Sequence, residues 1–213
     1  MKSFLYGNEN APVVLIQPAD SHDLAFIEDE VGMIREQTGE DFCLAAVPVE
    51  SWNRDLSPWE APAVFGNEGF GGKAEETLGE ILEMFEGDGR TLVLGGYSLA
   101  GLFALWAATR TDRFAGIAAA SPSVWFPGFT DYLRANPVRS GAVYLSLGDR
   151  EERTRNPVMA EVGNRIRQAE EILKEQGVKT ILEWNSGNHF REPDLRTARA
   201  FAWILNETRG KKI

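Results

Sequence analysis

The stretch Thr91-Leu92-Val93-Leu94-Gly95-Gly96-Tyr97-Ser98-Leu99-Ala100-Gly101-Leu102 leaves this chain few folds. A short apolar run breaks into small residues around one serine and then continues as an apolar helical sequence, so a strand must turn abruptly into a helix at Ser98. Only small neighbours let two backbones pass that closely, and Gly96 and Ala100 stand at the required offsets. Such a turn carries the Ser98 hydroxyl to the carboxyl end of a sheet. It also leaves the following amides at a helix N-terminus, where negative charge is favoured.

The rest of the chain supplies that sheet. Short apolar runs alternate with helix-period segments almost throughout, the pattern of parallel strands joined by crossover helices. Strands are predicted at Val13–Ile16, Phe42–Val47, Leu92–Leu94, Phe114–Ala120, Ala142–Leu147 and Lys179–Trp184, with an edge strand at Lys2–Tyr6. Between them, Leu24, Ile27, Val31 and Ile34 share one helical face with Ser21 as the cap, and Ala74, Leu78, Ile81, Leu82 and Phe85 share another. The segment after Ser98 is apolar nearly all round, as in a helix packed centrally on a sheet. Met159, Val162, Ile166, Ala169 and Leu173 mark a further helix, and Leu195, Ala198, Ala202 and Leu205 the last one. Residues 48–72 form the longest stretch without clear periodicity and contain Trp52, Arg54 and Trp59. The expected class is α/β, with a mostly parallel central sheet, helices on both faces and no separate lid domain.

At 213 residues and 43% hydrophobic content, the chain can bury one substantial core, so one domain over 1–213 is expected. A net charge of −10 disfavours nucleic acid and anionic membrane surfaces as partners. The start lacks the apolar core of a signal peptide, and no run approaches the ~18 apolar residues of a membrane span. A cytoplasmic protein, monomeric or homodimeric, is the expectation. The single cysteine, Cys43, lies in an apolar run and reads as a small buried strand residue. One cysteine and two histidines far apart in sequence support no metal site. Gly95-Gly96 lacks the Gly-Lys-Ser/Thr ending of a phosphate loop, and no cofactor is expected.

In open α/β sheets ligands bind beyond the carboxyl ends of the strands, so Ser98, the 148–152 loop and His189 should converge there. A serine hydroxyl needs a base to take its proton, and imidazole titrates near the right value. Of the two histidines, His189 follows the last strand, whereas His22 lies in the first turn of a helix and reads as structural. The imidazole needs a carboxylate on its other nitrogen. Glu151 has a turn's length after Gly148 in which to swing back, and Glu152 is the adjacent alternative. Backbone amides of Leu99 and Ala19 would hold a developing oxyanion, Pro18 having no amide proton. Trp125, Ser123 and Trp52 are candidate substrate-binding residues, while Arg54 reads as a surface ion pair with Asp55.

Taken together, Gly96-Tyr97-Ser98-Leu99-Ala100-Gly101, Ser121-Pro122-Ser123-Val124-Trp125, Gly148-Asp149-Arg150-Glu151 and Gly187-Asn188-His189-Phe190 resemble, in order and spacing, the branch of the α/β-hydrolase superfamily that holds esterase D-like and enterochelin-esterase-like enzymes. The likeness spans residues 11 to 207. It implies a serine esterase forming an acyl-enzyme on Ser98 with a Ser98–Glu151–His189 triad, and a small-molecule ester as substrate. The serine-proline-serine-tryptophan segment would form a wall of the acyl or alcohol pocket. Ala100 departs from the glycine usual at its position, and the short N-terminal part suggests reduced first strands. A ferric-siderophore ligand would call for several cationic side chains near the cleft. Only Arg54 and Arg150 offer themselves, so a small ester or acyl sugar fits better. The same triad could serve a thioesterase or acyltransferase, and a non-catalytic binding module on this fold is the reading from another class.

Overall fold

The computed structural model describes residues 2–208; of the expected domain, residues 1 and 209–213 lie outside the described residues. The chain opens with β1 (Phe4–Gly7), β2 (Val13–Ala19), α1 (Ser21–Thr38) and β3 (Cys43–Pro48). The stretch expected to be aperiodic folds into a short helix, α2 (Trp52–Asp55), and a two-stranded ribbon of β4 (Glu60–Ala61) and β5 (Phe70–Gly71). Next come α3 (Ala74–Met84), β6 (Thr91–Tyr97), α4 (Leu99–Arg110), β7 (Phe114–Ala120), α5 (Phe129–Ala135) and β8 (Ala142–Gly148). α6 (Pro157–Ala160), α7 (Val162–Glu175), β9 (Lys179–Asn185) and α8 (Pro193–Thr208) follow.

Seven strands form the main sheet in the order β1-β3-β2-β6-β7-β8-β9. Only β1 runs antiparallel to its neighbour; the other pairs are parallel, so β2, β6, β7, β8 and β9 all end at one edge. Helices cover both faces, as a parallel sheet buried on two sides requires. On one face Ile27, Val31 and Ile34 of α1 join Phe201 and Ile204 of α8 over Leu15, Val93 and Ala118. On the other, Leu102, Phe103 and Leu105 of α4 lie over Val14, Leu94 and Ile117, flanked by α3 and α7. Each fully buried Leu, Ile or Phe contributes roughly 1.5–3 kcal/mol of apolar burial, which is why α4 can dispense with a polar face. The approach is close at Gly95, where an added Cβ would come within 2.6 Å of Ala118 and 2.9 Å of the Phe201 ring.

Two expectations are corrected at the start of α1. β2 continues past Ile16 to Ala19 even though Pro18 cannot donate to a ladder. Pairing with β6 stops at Ile16, so the proline nitrogen has no strand to serve on that side. The cap is Asp20, not Ser21. The Asp20 carboxylate accepts from the amides of His22 (2.7 Å) and Asp23 (2.9 Å), and Asp23 accepts from the Asp20 amide at 3.2 Å. This reciprocal pairing outcompetes a serine one residue later, which enters the helix as its first residue. In the 48–72 stretch, the Trp59 indole donates to the Pro127 carbonyl (3.1 Å) and packs on Phe126 and Tyr132, covering a core edge. Arg54 pairs with Asp55 (2.7 Å) and Glu50 (3.2 Å).

Candidate active site

The turn between β6 and α4 has the strain its sequence implies. Ser98 sits at φ 57°, ψ −117°, a region that side-chain-bearing residues rarely adopt. Gly96 has φ 154°, and a Cβ there would lie 2.6 Å from the Ala100 Cβ. One member of that contact can therefore carry a methyl group and the other cannot, which explains why alanine is tolerated at 100. Gly101 is crowded too, since a Cβ there would meet the Gly96 carbonyl at 3.0 Å and Pro122 at 3.2 Å. The geometry leaves the amides of Leu99, Ala100 and Gly101 as the first donors of α4, where no carbonyl of the preceding turn can reach them.

Three loops converge on the serine. His189, on the loop after β9, places Nε2 3.0 Å from the Ser98 Oγ, and its Nδ1 lies 2.7 Å from Glu151 Oε2 on the loop after β8. From the loop after β7, Ser123 brings its hydroxyl to 3.2 Å from the same Oγ, and its amide donates to the Ser98 carbonyl at 3.0 Å. The Asp149 carboxylate accepts from the Gly187 amide at 2.8 Å, tying the acid loop to the histidine loop. Tyr97 donates its hydroxyl to the His189 carbonyl at 2.8 Å and lays its ring beside the imidazole.

Glu151 is held from every side. Its Oε1 accepts from the Gly148 amide (2.7 Å), the Ser121 hydroxyl (2.9 Å) and Arg196 Nη1 (2.9 Å), leaving Oε2 for His189. Burial pushes this carboxyl upward, but hydrogen bonds from His189, Gly148 and Ser121 and the nearby imidazole outweigh it and hold the group below its ordinary value. Arg196 itself is 1% exposed and also reaches the Tyr97 hydroxyl (3.0 Å) and the Asn188 carbonyl (3.1 Å). The buried face of α8 was expected to begin at Leu195, which is only half-buried; the arginine takes the inner place instead. Its signal in the sequence was a charge four residues before Ala200 and eight before Ile204, on an apolar face. Removing one member of a buried ion pair strands the other charge, so Arg196→Met is expected to lower stability by about 3–5 kcal/mol. Thermal unfolding followed by circular dichroism should show the midpoint falling by about 6–20 °C, with Arg196→Lys recovering part of it.

No family model matches the chain. It is 23% identical over 220 residues to the uncharacterized protein YbbA of Bacillus subtilis, across 93% of this chain and 87% of that one. It superposes on the siderophore hydrolase EstA from Aspergillus nidulans with a TM-score of 0.68 at 19% identity, over 95% of this chain and 86% of that chain. On an IroE-like serine hydrolase from Shewanella oneidensis the TM-score is 0.71 at 14% identity, over 95% and 75% of the two chains. The fold is that of the α/β-hydrolases.

Within this α/β-hydrolase frame the two acids part company. Glu151 faces His189, whereas Glu152 is exposed and lies against α7 at Gly163, where a Cβ would strike its carboxylate. Of the two oxyanion candidates, Leu99 opens α4. Ala19 is fully buried as the last residue of β2. The Val49 amide donates to the Ala19 carbonyl at 3.2 Å, and that parallel register aims the Ala19 N–H at the Val47 carbonyl. An oxyanion would therefore compete with β3 for Ala19, and Ser21, next but one along the turn, stands clear of that ladder. Trp125 is 8% exposed and packs edge-on against Phe65 and tilted against Phe70, while Trp52 is half-buried against the same core. Among the described residues no helix is long and apolar enough to cross a membrane.

Proposed function

We propose that this protein is a serine hydrolase that cleaves a carboxylic ester through an acyl-enzyme on Ser98. The observation that carries the reading is the unbroken chain from Ser98 Oγ to His189 Nε2 (3.0 Å) and from His189 Nδ1 to Glu151 Oε2 (2.7 Å), anchored on a strained strand-to-helix turn. As Oγ attacks the ester carbonyl carbon, His189 takes its proton at Nε2 and Glu151 stabilises the imidazolium. The Leu99 amide and an amide of the Ala19–Ser21 turn receive the oxyanion. Collapse of the tetrahedral intermediate breaks the bond to the alcohol, which leaves with the proton from His189. Water then attacks the acyl-enzyme with His189 again as base, releasing the acid and restoring Ser98. Ser123 holds the Ser98 hydroxyl in place, and Trp125, Ser123 and Trp52 wall the substrate pocket.

One of the similar structures is a siderophore hydrolase and another an IroE-like serine hydrolase, which supports ester cleavage here. The two cationic side chains considered for a bulky anionic siderophore are both drawn to carboxylates, Arg54 to Asp55 and Glu50 and Arg150 to Asp149 at 3.9 Å. The substrate class proposed is a small, non-anionic ester. A series of p-nitrophenyl esters of increasing acyl length tests this. Release above the buffer rate is expected for the short acyl chains, with kcat/KM falling as the chain lengthens. No release from any member would contradict the proposal.

A further inference from the structure

Beside the triad, at the same edge of the sheet, a cavity of about 280 Å³ opens between the N-terminal ends of α1 and α8. Tyr97 and Phe190 belong to both places: each lines the cavity, and their rings lie 5.0 Å and 5.6 Å from the His189 ring. The charged lining is acidic, with Asp23 and Glu30 from α1 and Glu192 and Asp194 at the entry to α8, and among the described residues no lysine or arginine lines it. Glu192 shares its charge with exposed Arg191 at 3.4 Å, which leaves the other three as the inner carboxylates. Phe26 and His22 add apolar and ring surface at the mouth.

The floor makes this more than a cluster of surface acids. Glu30 and Gln17 are 4% and 3% exposed, and the only bond between them runs from Gln17 Nε2 to Glu30 Oε2 at 3.3 Å. Glu30 Oε1 and Gln17 Oε1 have no hydrogen-bond partner among the described residues. Two buried acceptors left without a donor are costly, and a cation bearing an N–H brings a donor and a positive charge to that floor. Burial pushes the Glu30 carboxyl up to about 8, with Asp23 and Asp194 adding to the rise, and pushes Asp23 to about 6. A positive charge in the cavity would favour the ionised form of both Glu30 and Asp23. Aromatic walls favour the alkyl groups of such a cation through its charge as well as its surface.

Building on the esterase reading, we propose that this cavity is a subsite for the protonated amine of a cationic ester. The test compares kcat/KM for 2-(dimethylamino)ethyl acetate, protonated at the assay pH of 7.5, with its uncharged isostere 3-methylbutyl acetate. The cationic ester is expected to be preferred about tenfold or more, and the ratio to fall to about one in Glu30→Gln and in Asp194→Asn. A ratio of about one in the unaltered protein overturns the proposal. Calorimetric titration of N,N-dimethylethylammonium into the Ser98→Ala protein reads the same site without catalysis. Saturable binding that Glu30→Gln weakens is expected, and no saturable binding overturns the subsite. If no ester of any kind is turned over, the esterase reading fails by itself and the titration alone decides for or against the cation site.

Discussion

Replacing Ser98 with alanine is expected to lower kcat for p-nitrophenyl acetate by about 10⁴–10⁶-fold while leaving the fold intact. The side chain makes two contacts, to His189 (3.0 Å) and Ser123 (3.2 Å), and neither supports the core. The strain at φ 57° resides in the backbone and is not worsened by losing one oxygen. Circular dichroism should therefore be unchanged and the loss should appear in kcat. His189→Ala should cost about as much, and the double variant no more than either alone, because the two residues act on one proton. A double variant losing the product of the two single effects would mean that they work independently.

Glu151→Gln is expected to cost about 10⁴-fold in kcat, and Glu152→Gln less than about twofold. Glutamine fits the space of Glu151, and its carbonyl can go on accepting from Gly148, Ser121 and Arg196 at the position of Oε1. Its amide nitrogen must then face His189 Nδ1, 2.7 Å away, and donate to it. That pins the ring proton on Nε2, the atom that has to accept the proton of Ser98. Glu152 has no such hold on the ring, as its carboxylate lies beside Gly163 on α7. The wild-type acid also has a pH signature. Since Glu151 is held below its ordinary value, its contribution to stability is complete above the usual carboxylate range and is lost as the pH falls through the lowered value. Thermal midpoints of wild type and Glu151→Gln should converge in acid.

The backbone plan was legible because most strands of the parallel sheet are apolar runs and α1, α3, α7 and α8 have a clear period, whereas α5, only seven residues long, left no such signal; the runs ending at Ala120, Leu147 and Trp184 could be aligned on Ser98 by direction alone. The acid was legible in part. Glu151 and Glu152 differ in sequence by one position, and what separates them is the turn geometry that puts one against His189 and the other against α7. Arg196 was hidden because a helical pattern is read through its apolar positions, and a buried cation is paid for by partners on four other segments: Tyr97, Ser121, Glu151 and Asn188. The cap of α1 was off by one because Asp20 and Ser21 are both good caps; the deciding factor was Asp23, three residues beyond Asp20, which closes the reciprocal pair. The acidic cavity was out of reach altogether, since Glu30 and Asp194 meet only through the packing of α1 on α8.

The proposed chemistry requires Ser98 to be an activated nucleophile. Incubation with a fluorophosphonate probe, followed by digestion and mass spectrometry, tests it most directly. One adduct per chain is expected, located on Ser98, formed slowly or not at all in His189→Ala and absent in Ser98→Ala. An unlabelled wild-type protein under conditions that label a known serine hydrolase, or an adduct on another residue, would contradict it.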